Sequence, residues 1–136
     1  MRSKEQERSD FALQQLQPMI AGNRGGVDKD LSTFIVGTPT MILQNGLGQT
    51  MAFLLSKCDG KFNDNEKPSS DKFKYLFTFK VIAGWSNQIN SRIGVNPQSF
   101  FSELSKIEQQ EYLTLQEEAL KMLQWLKRYA KAFQNG

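Results

Sequence analysis

The residues of this chain that are able to do chemistry are mainly lysines and arginines near its C-terminus. From residue 121 onward there are four basic residues and no acidic one: Lys121, Lys127, Arg128 and Lys131. Such a cluster is suited to phosphate groups, which basic side chains hold in position without reading sequence. Two plainer interpretations stay open, a solvated helix face or cations that complement the negative end of the helix dipole. Lys57, beside a polar segment, is a further candidate for a phosphate contact.

The residue types that most catalytic sites need are absent or isolated. The chain has no histidine, which excludes Ser-His-Asp and Cys-His catalysis and histidine-ligated zinc. Its single cysteine, Cys58, falls on the same helical face as Met51 and Leu54, so we expect a buried and inert thiol. The acidic residues form no loop of calcium type. We therefore predict no metal site, no cofactor and no enzymatic activity.

Length and composition are typical of one soluble globular domain over residues 1–136. The chain is 39% hydrophobic and 23% charged, and it is large enough for one core. No apolar run approaches the ~20 residues that a membrane-spanning helix needs. The charged start of the sequence does not resemble a secretory signal. These features predict a cytoplasmic protein with no membrane partner.

The C-terminal cations belong to a long predicted helix, residues 111–133, which contains no proline and no glycine. At helical spacing its apolar residues form one stripe: Leu115, Ala119, Met122, Leu126, Tyr129 and Phe133. A polar stripe that ends in basic residues lies across the helix: Glu117, Lys121, Gln124, Arg128 and Lys131. Trp125 and Tyr129 are an i,i+4 aromatic pair. Such a pair is typical of a core or an interface, but it is also able to stack on a base.

The N-terminal third predicts two helices. Residues 4–20 have loose helical spacing, with Ser9 and Asp10 as possible caps. Asp28 is suited to capping a second helix, in which Leu43 is among the residues expected to face inward. The segment 37–39 contains a glycine and a proline, so this helix either ends there or continues with a kink.

Turn signals divide the middle of the chain. Asn45 and Gly46 predict a stop in left-handed geometry, followed directly by a third helix over residues 47–58. Residues 59–70 are polar and predict an exposed loop. After a polar connection over residues 87–96, Asn96 and Pro97 predict the cap and the first residue of a short helix.

Residues 73–82 fit two periods. Apolar and polar residues alternate there as in a strand, but the same residues read as a helix are apolar nearly all round, as in a buried central helix. No second convincing strand exists in the sequence to pair with this one. Tertiary context therefore favours a helix, and we predict an all-α single-domain bundle of five to six helices with a long C-terminal helix.

Two sequence blocks resemble a known family. The first is PTMILQNGLGQTMAF, residues 39–53, which is similar to a P-x-M-I-x-x-N-G-L-x-Q-A-L-A-F signature. The second is EYL at 111–113, EAL at 118–120 and WLKRYA at 125–130, similar to E-Y-L, E-A-L and W-L-K-R-F-A. In this order and spacing they resemble the small subunit of type III-B CRISPR–Cas effector complexes, the Cmr small-subunit family. The helical fold of that family also favours a helix over residues 73–82.

This resemblance implies a non-catalytic subunit of an RNA-targeting ribonucleoprotein. Members of the family stack in a short filament beside the backbone subunits, extend from the large subunit, and help form the channel where target RNA pairs with guide RNA. The expected partners are therefore the backbone subunits, the large subunit, further copies of this chain, and both RNAs. Lys127 and Arg128 match the family's Lys-Arg pair.

Asn45 and Gln49 match the first block. They are candidates for structural roles at the helix corner, with contacts to another subunit as the alternative. Two other functions also stay open for the whole chain: a stand-alone helical interaction or dimerisation module, and an independent basic nucleic-acid-binding domain.

Overall fold

A computed structural model describes residues 1–22, 25–58 and 70–135. Within these ranges the chain forms six helices and no strand, which confirms the all-α prediction: α1 (Lys4–Ile20), α2 (Lys29–Asn45), α3 (Leu47–Ser56), α4 (Phe73–Ile89), α5 (Pro97–Leu104) and α6 (Gln109–Ala132). The loop predicted at 59–70 lies, except for Ser70, outside the described residues.

The ends of α1 are set by local chemistry. Ser3 caps the helix: its hydroxyl accepts the Gln6 backbone N–H at 3.1 Å, and the Gln6 side chain accepts the Ser3 N–H at 2.8 Å. The predicted caps, Ser9 and Asp10, are instead inside the helix, so that prediction is wrong. Pro18 lies within the last turn of α1, which still extends to Ile20.

The helix α2 continues through Pro39. Proline removes one backbone N–H from the ladder. The carbonyl that loses its donor is that of Ile35, and the Thr38 hydroxyl donates at 2.9 Å to the adjacent Phe34 carbonyl. Leu43 was expected to face inward, but it is 70% exposed, because it lies on the outer face of the last turn.

The ambiguous segment 73–82 is helical, and α4 extends beyond it to Ile89. Its buried residues surround most of the helix, so the sequence shows no helical period that would have excluded a strand. The following connection is shorter than predicted, residues 90–96. As predicted, Asn96 caps α5: its side chain accepts the Ser99 N–H at 2.9 Å, and Pro97 is the first helical residue.

The residues group into two compact units, and the prediction of a single domain stays a prediction. The first unit comprises Met1–Pro39 and Leu120–Gly136. In it, Val27 and Gln134 form an isolated bridge: the Val27 N–H donates to the Phe133 carbonyl at 2.9 Å, and the Asn135 N–H donates to the Val27 carbonyl at 3.0 Å. Gly26, with φ 155°, precedes this bridge, and a Cβ there would lie 2.5 Å from the Phe133 carbonyl oxygen. Only glycine permits so close an approach.

The second unit comprises Thr40–Ala119. Its core includes the aromatic group of Phe79, Phe100 and Phe101, whose ring centroids lie 5.4 to 6.1 Å apart. Further residues of this unit are fully or nearly fully buried: Leu47, Met51, Leu54, Ile82, Trp85 and Ile93. Cys58 is also buried, as predicted from its helical face.

Candidate nucleic-acid interface

The C-terminal half of α6, residues 120–132, belongs to the first unit and presents cations on its outer face. Lys121, Arg128 and Lys131 are exposed, and Lys127 is half-buried. The exposed three follow one another at helical spacing, together with the exposed Gln124, so they share one face. From Lys121 to Lys131 this face extends about 15 Å, at 1.5 Å per residue. We refer to these four basic residues as the α6 cations.

Three of the α6 cations differ in their partners from the basic residues at the start of the chain, Arg2, Lys4 and Arg8. Arg2, Lys4 and Arg8 are each paired with a carboxylate of α1, at 3.0, 3.5 and 2.8 Å. Within the described ranges, Lys127, Arg128 and Lys131 have no ion-pair partner. None of these three charges is therefore neutralised by a direct ion pair within the described ranges, although Arg128 lines the same surface depression as Glu5.

Lys57 belongs to the second unit, where it caps the C-terminus of α3. It is exposed, and its ammonium lies 5.4 Å from the centroid of the Phe53 ring. A lysine so placed interacts with the ring face, but the charge remains accessible to solvent.

The aromatic pair of the first unit is held by α1. The Trp125 and Tyr129 rings lie 5.8 Å apart. The Trp125 indole N–H donates to Glu5 at 3.2 Å, and the Tyr129 hydroxyl is 2.6 Å from the Ser9 hydroxyl. Because the polar atoms of both rings are used inside the unit, the geometry favours a structural role over stacking on a base.

Asn45 and Gln49 lie on either side of the turn between α2 and α3, and both are exposed. The left-handed geometry expected of Asn45 falls on Gly46, which has φ 85°, whereas Asn45 is the last residue of α2. Glycine carries this conformation because it has no Cβ to clash.

Sequence reasoning missed the residues that cap α3. Its N-cap, Gly46, has no side chain to accept the first N–H groups of the helix. The N-terminal half of α6, residues 109–119, supplies them: Gln116 accepts the Leu47 N–H at 2.9 Å, and the Tyr112 hydroxyl accepts the Gly48 N–H at 2.8 Å. The only available signal was the missing cap at Gly46, which requires a partner without naming it.

A second missed contact joins Glu111 to the end of α4. Its carboxylate accepts hydrogen bonds from Arg92 and, at 3.1 Å, from Asn90. The Arg92 hydrogen bond, helped by the Glu108 N–H and the Arg92 charge, holds the pKa of Glu111 below its ordinary value. This exposed ion pair links the N-terminal half of α6 to the segment that follows α4 within the second unit.

The described residues provide little for other kinds of chemistry. Residues 1–22, 25–58 and 70–135 contain no group of three or more histidine, cysteine, aspartate or glutamate side chains placed to hold a metal ion. In the same ranges no helix is long and apolar enough to cross a membrane.

Comparison with known proteins identifies the class and then the family. The chain is similar to the crystal structure of a CRISPR-associated Cmr5 family protein from Thermus thermophilus, with a TM-score of 0.64 and 20% identity over 98% of each chain. This likeness places the chain among small all-α proteins of that fold. The family model described as CRISPR-associated protein (Cas_Cmr5) matches residues 4–133. The chain therefore belongs to the Cmr5 family, the small subunits of the type III-B Cmr effector complex.

Proposed function

We propose that this chain helps to hold target RNA paired to guide RNA in the Cmr complex, that it does so without catalysis, and that its copies stack along the backbone filament. The proposal depends on one observation: Arg128 and Lys131 are exposed on a regular helix and have no acidic partner in the described ranges. Such cations break no existing ion pair when they contact a phosphate, and the helix that carries them is already ordered. Membership of a complex-forming family favours this role over a stand-alone module or an independent nucleic-acid-binding domain.

The α6 cations are suited to the backbone of RNA and not to its bases. A face about 15 Å long is able to reach more than one phosphate. Phosphate contacts fix position and register and carry no sequence information. Sequence is then read by guide–target pairing, as in other RNA-guided effectors.

The test is charge reversal in the assembled complex. We expect Lys127→Glu, Arg128→Glu and Lys131→Glu together to weaken target RNA binding by at least about tenfold at moderate salt, and to make the affinity less dependent on salt, because fewer counterions are released. Lys106→Glu is the matched control, since Lys106 is exposed but lies near Glu103, at 3.8 Å. Subunit composition is measured on the same preparation. A complete complex that binds target RNA with unchanged affinity and salt dependence would exclude the proposed role of the α6 cations.

We assign the corner between α2 and α3 to contact with another subunit. Leu43 is 70% exposed there, and Asn45 and Gln49 are exposed beside it. An exposed leucine bordered by amides is typical of a contact surface with an apolar centre and a polar rim. We expect Leu43→Asp to reduce the amount of this chain retained in the purified complex, whereas Val95→Asp, at a residue 49% exposed, should not. Equal retention of the two variants would contradict this assignment.

A further inference from the structure

The second unit contains a group of two aromatic rings and two lysines, which we refer to as the α3–α4 cluster; Phe53 and Lys57 are exposed in it, and Lys74 and Tyr75 are half-buried. Phe53 of α3 and Tyr75 of α4 pack edge to face, with ring centroids 6.2 Å apart. The Lys57 ammonium lies 5.4 Å from the Phe53 centroid, and the Lys74 ammonium lies 5.4 Å from the Tyr75 centroid. Each ring thus has a cation beside it.

The exposure of Phe53 is not explained by the core of its unit. Along α3, Met51 and Leu54 are fully buried, whereas Phe53 is 39% exposed on the opposite face. The neighbouring outward positions, Gln49, Ala52 and Ser56, are small or polar. A single exposed apolar residue is ordinary, but this one is an aromatic ring next to a lysine.

The surrounding charge favours an anionic ligand. Residues 40–58 and 70–102 contain one acidic residue, Asp71. The same stretches contain five basic residues, of which Arg92 is paired with Glu111: Lys57, Lys72, Lys74, Lys80 and Arg92. The intervening residues 59–69 add three acidic residues and two lysines, so residues 40–102 have seven basic and four acidic residues. Such an excess of positive charge raises the local concentration of phosphate-bearing ligands.

We propose that the α3–α4 cluster binds an unpaired nucleotide of single-stranded RNA, with its base stacked on Phe53 and its phosphate on Lys57. Aromatic rings beside cations are the chemistry by which proteins bind single strands without reading sequence, since every base has a π-face. A stacked base is worth more than an exposed cation–π contact, so it is able to displace the Lys57 ammonium from the ring. The freed ammonium remains next to the nucleotide, where its phosphate lies.

The inference takes RNA as the ligand from the proposed function, but it uses different residues in the other unit. The α6 cations are proposed to contact paired RNA through phosphates alone. The α3–α4 cluster requires a base that is free to stack. The two sites therefore respond differently when bases are removed from the ligand.

The experiment compares two fluorescent probes on the full-length chain at low salt: a ten-nucleotide oligouridine, and an abasic ribose-phosphate strand of the same length. We expect the oligouridine to bind at least about fivefold more tightly, because only it has bases to stack. Phe53→Leu keeps an apolar side chain and should remove this preference. Phe133→Leu, at an aromatic residue 41% exposed, is the matched control and should retain it. Lys57→Gln should weaken both probes and lower the salt slope by about 0.7.

The outcomes separate this inference from the proposed function. Equal affinity for the two probes, no binding of either, or a preference that survives Phe53→Leu would overturn the α3–α4 site. Loss of Phe53→Leu chain from the purified complex with an unchanged base preference would make the cluster a protein contact and would also overturn it. Arg128→Glu should lower affinity for both probes and keep the preference. Failure of the charge-reversal test in the assembled complex would leave the base preference of the isolated chain unaffected.

Discussion

The two halves of α6 use polar side chains in different ways. In the half formed by residues 109–119, Tyr112 and Gln116 accept backbone N–H groups of α3, and Glu111 binds Arg92. In the half formed by residues 120–132, Trp125 and Tyr129 are bound by α1, but Arg128 and Lys131 remain exposed and unpaired within the described ranges. The polar side chains of residues 109–119 thus form hydrogen bonds and an ion pair within their own unit. Residues 120–132 also form such contacts, but they keep positive charge exposed at the surface.

This difference shows what a polar residue on an amphipathic helix contributes. A helix pattern separates apolar from polar positions, but it does not say whether a polar group has a partner inside the protein. Gln116 and Arg128 both lie outside the apolar stripe, and both are ordinary helix formers. Only the partner distinguishes them: the Leu47 N–H for Gln116, and none in the described residues for Arg128.

The largest effect on folding is expected from Gln116→Leu. This change leaves the Leu47 N–H without its acceptor at the start of α3, where Gly46 offers no replacement. Loss of a cap or of a partly buried hydrogen bond costs about 1–2 kcal/mol in the free energy of unfolding. Urea unfolding followed by circular dichroism measures the loss. Gln110→Leu is the control, because Gln110 is exposed in the same half of α6. Equal stability of the two variants would mean that Gln116 is not a cap in solution.

A smaller effect is expected where α6 binds α1. Tyr129→Phe removes the hydroxyl that lies 2.6 Å from Ser9, at a cost of about 0.5–1.5 kcal/mol in the free energy of unfolding. A double-mutant cycle with Ser9→Ala measures the coupling between the two hydroxyls. A coupling energy of zero would show that the bond does not form, and it would reopen a role for this aromatic pair at the surface.

The α6 cations should matter little for folding. Arg128→Gln with Lys131→Gln should change the free energy of unfolding by less than about 0.5 kcal/mol, because both side chains are exposed and neither has an ion-pair partner in the described ranges. The same variant in the assembled complex should still bind target RNA more weakly. A loss of stability comparable to that of Gln116→Leu would show that these charges serve the fold, and the contrast between the halves of α6 would disappear.

Much of the fold follows from local rules. The Asn96–Pro97 start of α5, the Gly46 stop and the period of α6 each reflect local chemistry, and each appears in the structure near its predicted position. The first cap was misplaced because Ser9 and Asp10 are as suitable as Ser3 by residue type, and only the reciprocal bond with Gln6 distinguishes them. Residues 73–82 needed tertiary context, since a helix buried nearly all round has no period to detect.

The candidate site could be predicted from the sequence only in part. Charge and spacing identify the α6 cations, because exposure follows from the helix period. The α3–α4 cluster was not predictable, because it joins Phe53 and Tyr75 across two helices. The same holds for the contacts of Tyr112 and Gln116, which lie more than sixty residues from the backbone they cap. Such pairs depend on how helices pack, and local sequence patterns do not show that packing.

The smallest effect is expected at Glu111, in the half of α6 formed by residues 109–119. It can be measured without unfolding the protein. The Arg92 hydrogen bond lowers the pKa of Glu111 in the folded chain. A carboxyl group with a lowered pKa stabilises the fold at pH values above its ordinary pKa of about 4.3, and this contribution is lost as the pH falls through the lower folded value. Arg92→Gln should therefore raise the pKa of Glu111 and make stability less sensitive to acid in that range.

Titration of the Glu111 carboxyl carbon by NMR measures this change directly. Arg2→Gln is the control, because Arg2 is paired with Asp10 in the other unit and should leave the Glu111 titration unchanged. A Glu111 pKa that is the same with and without Arg92 would mean that solvent screens the pair completely. The N-terminal half of α6 would then depend on Tyr112 and Gln116 alone. The distinction between its two halves would rest on backbone capping, with no contribution from charge.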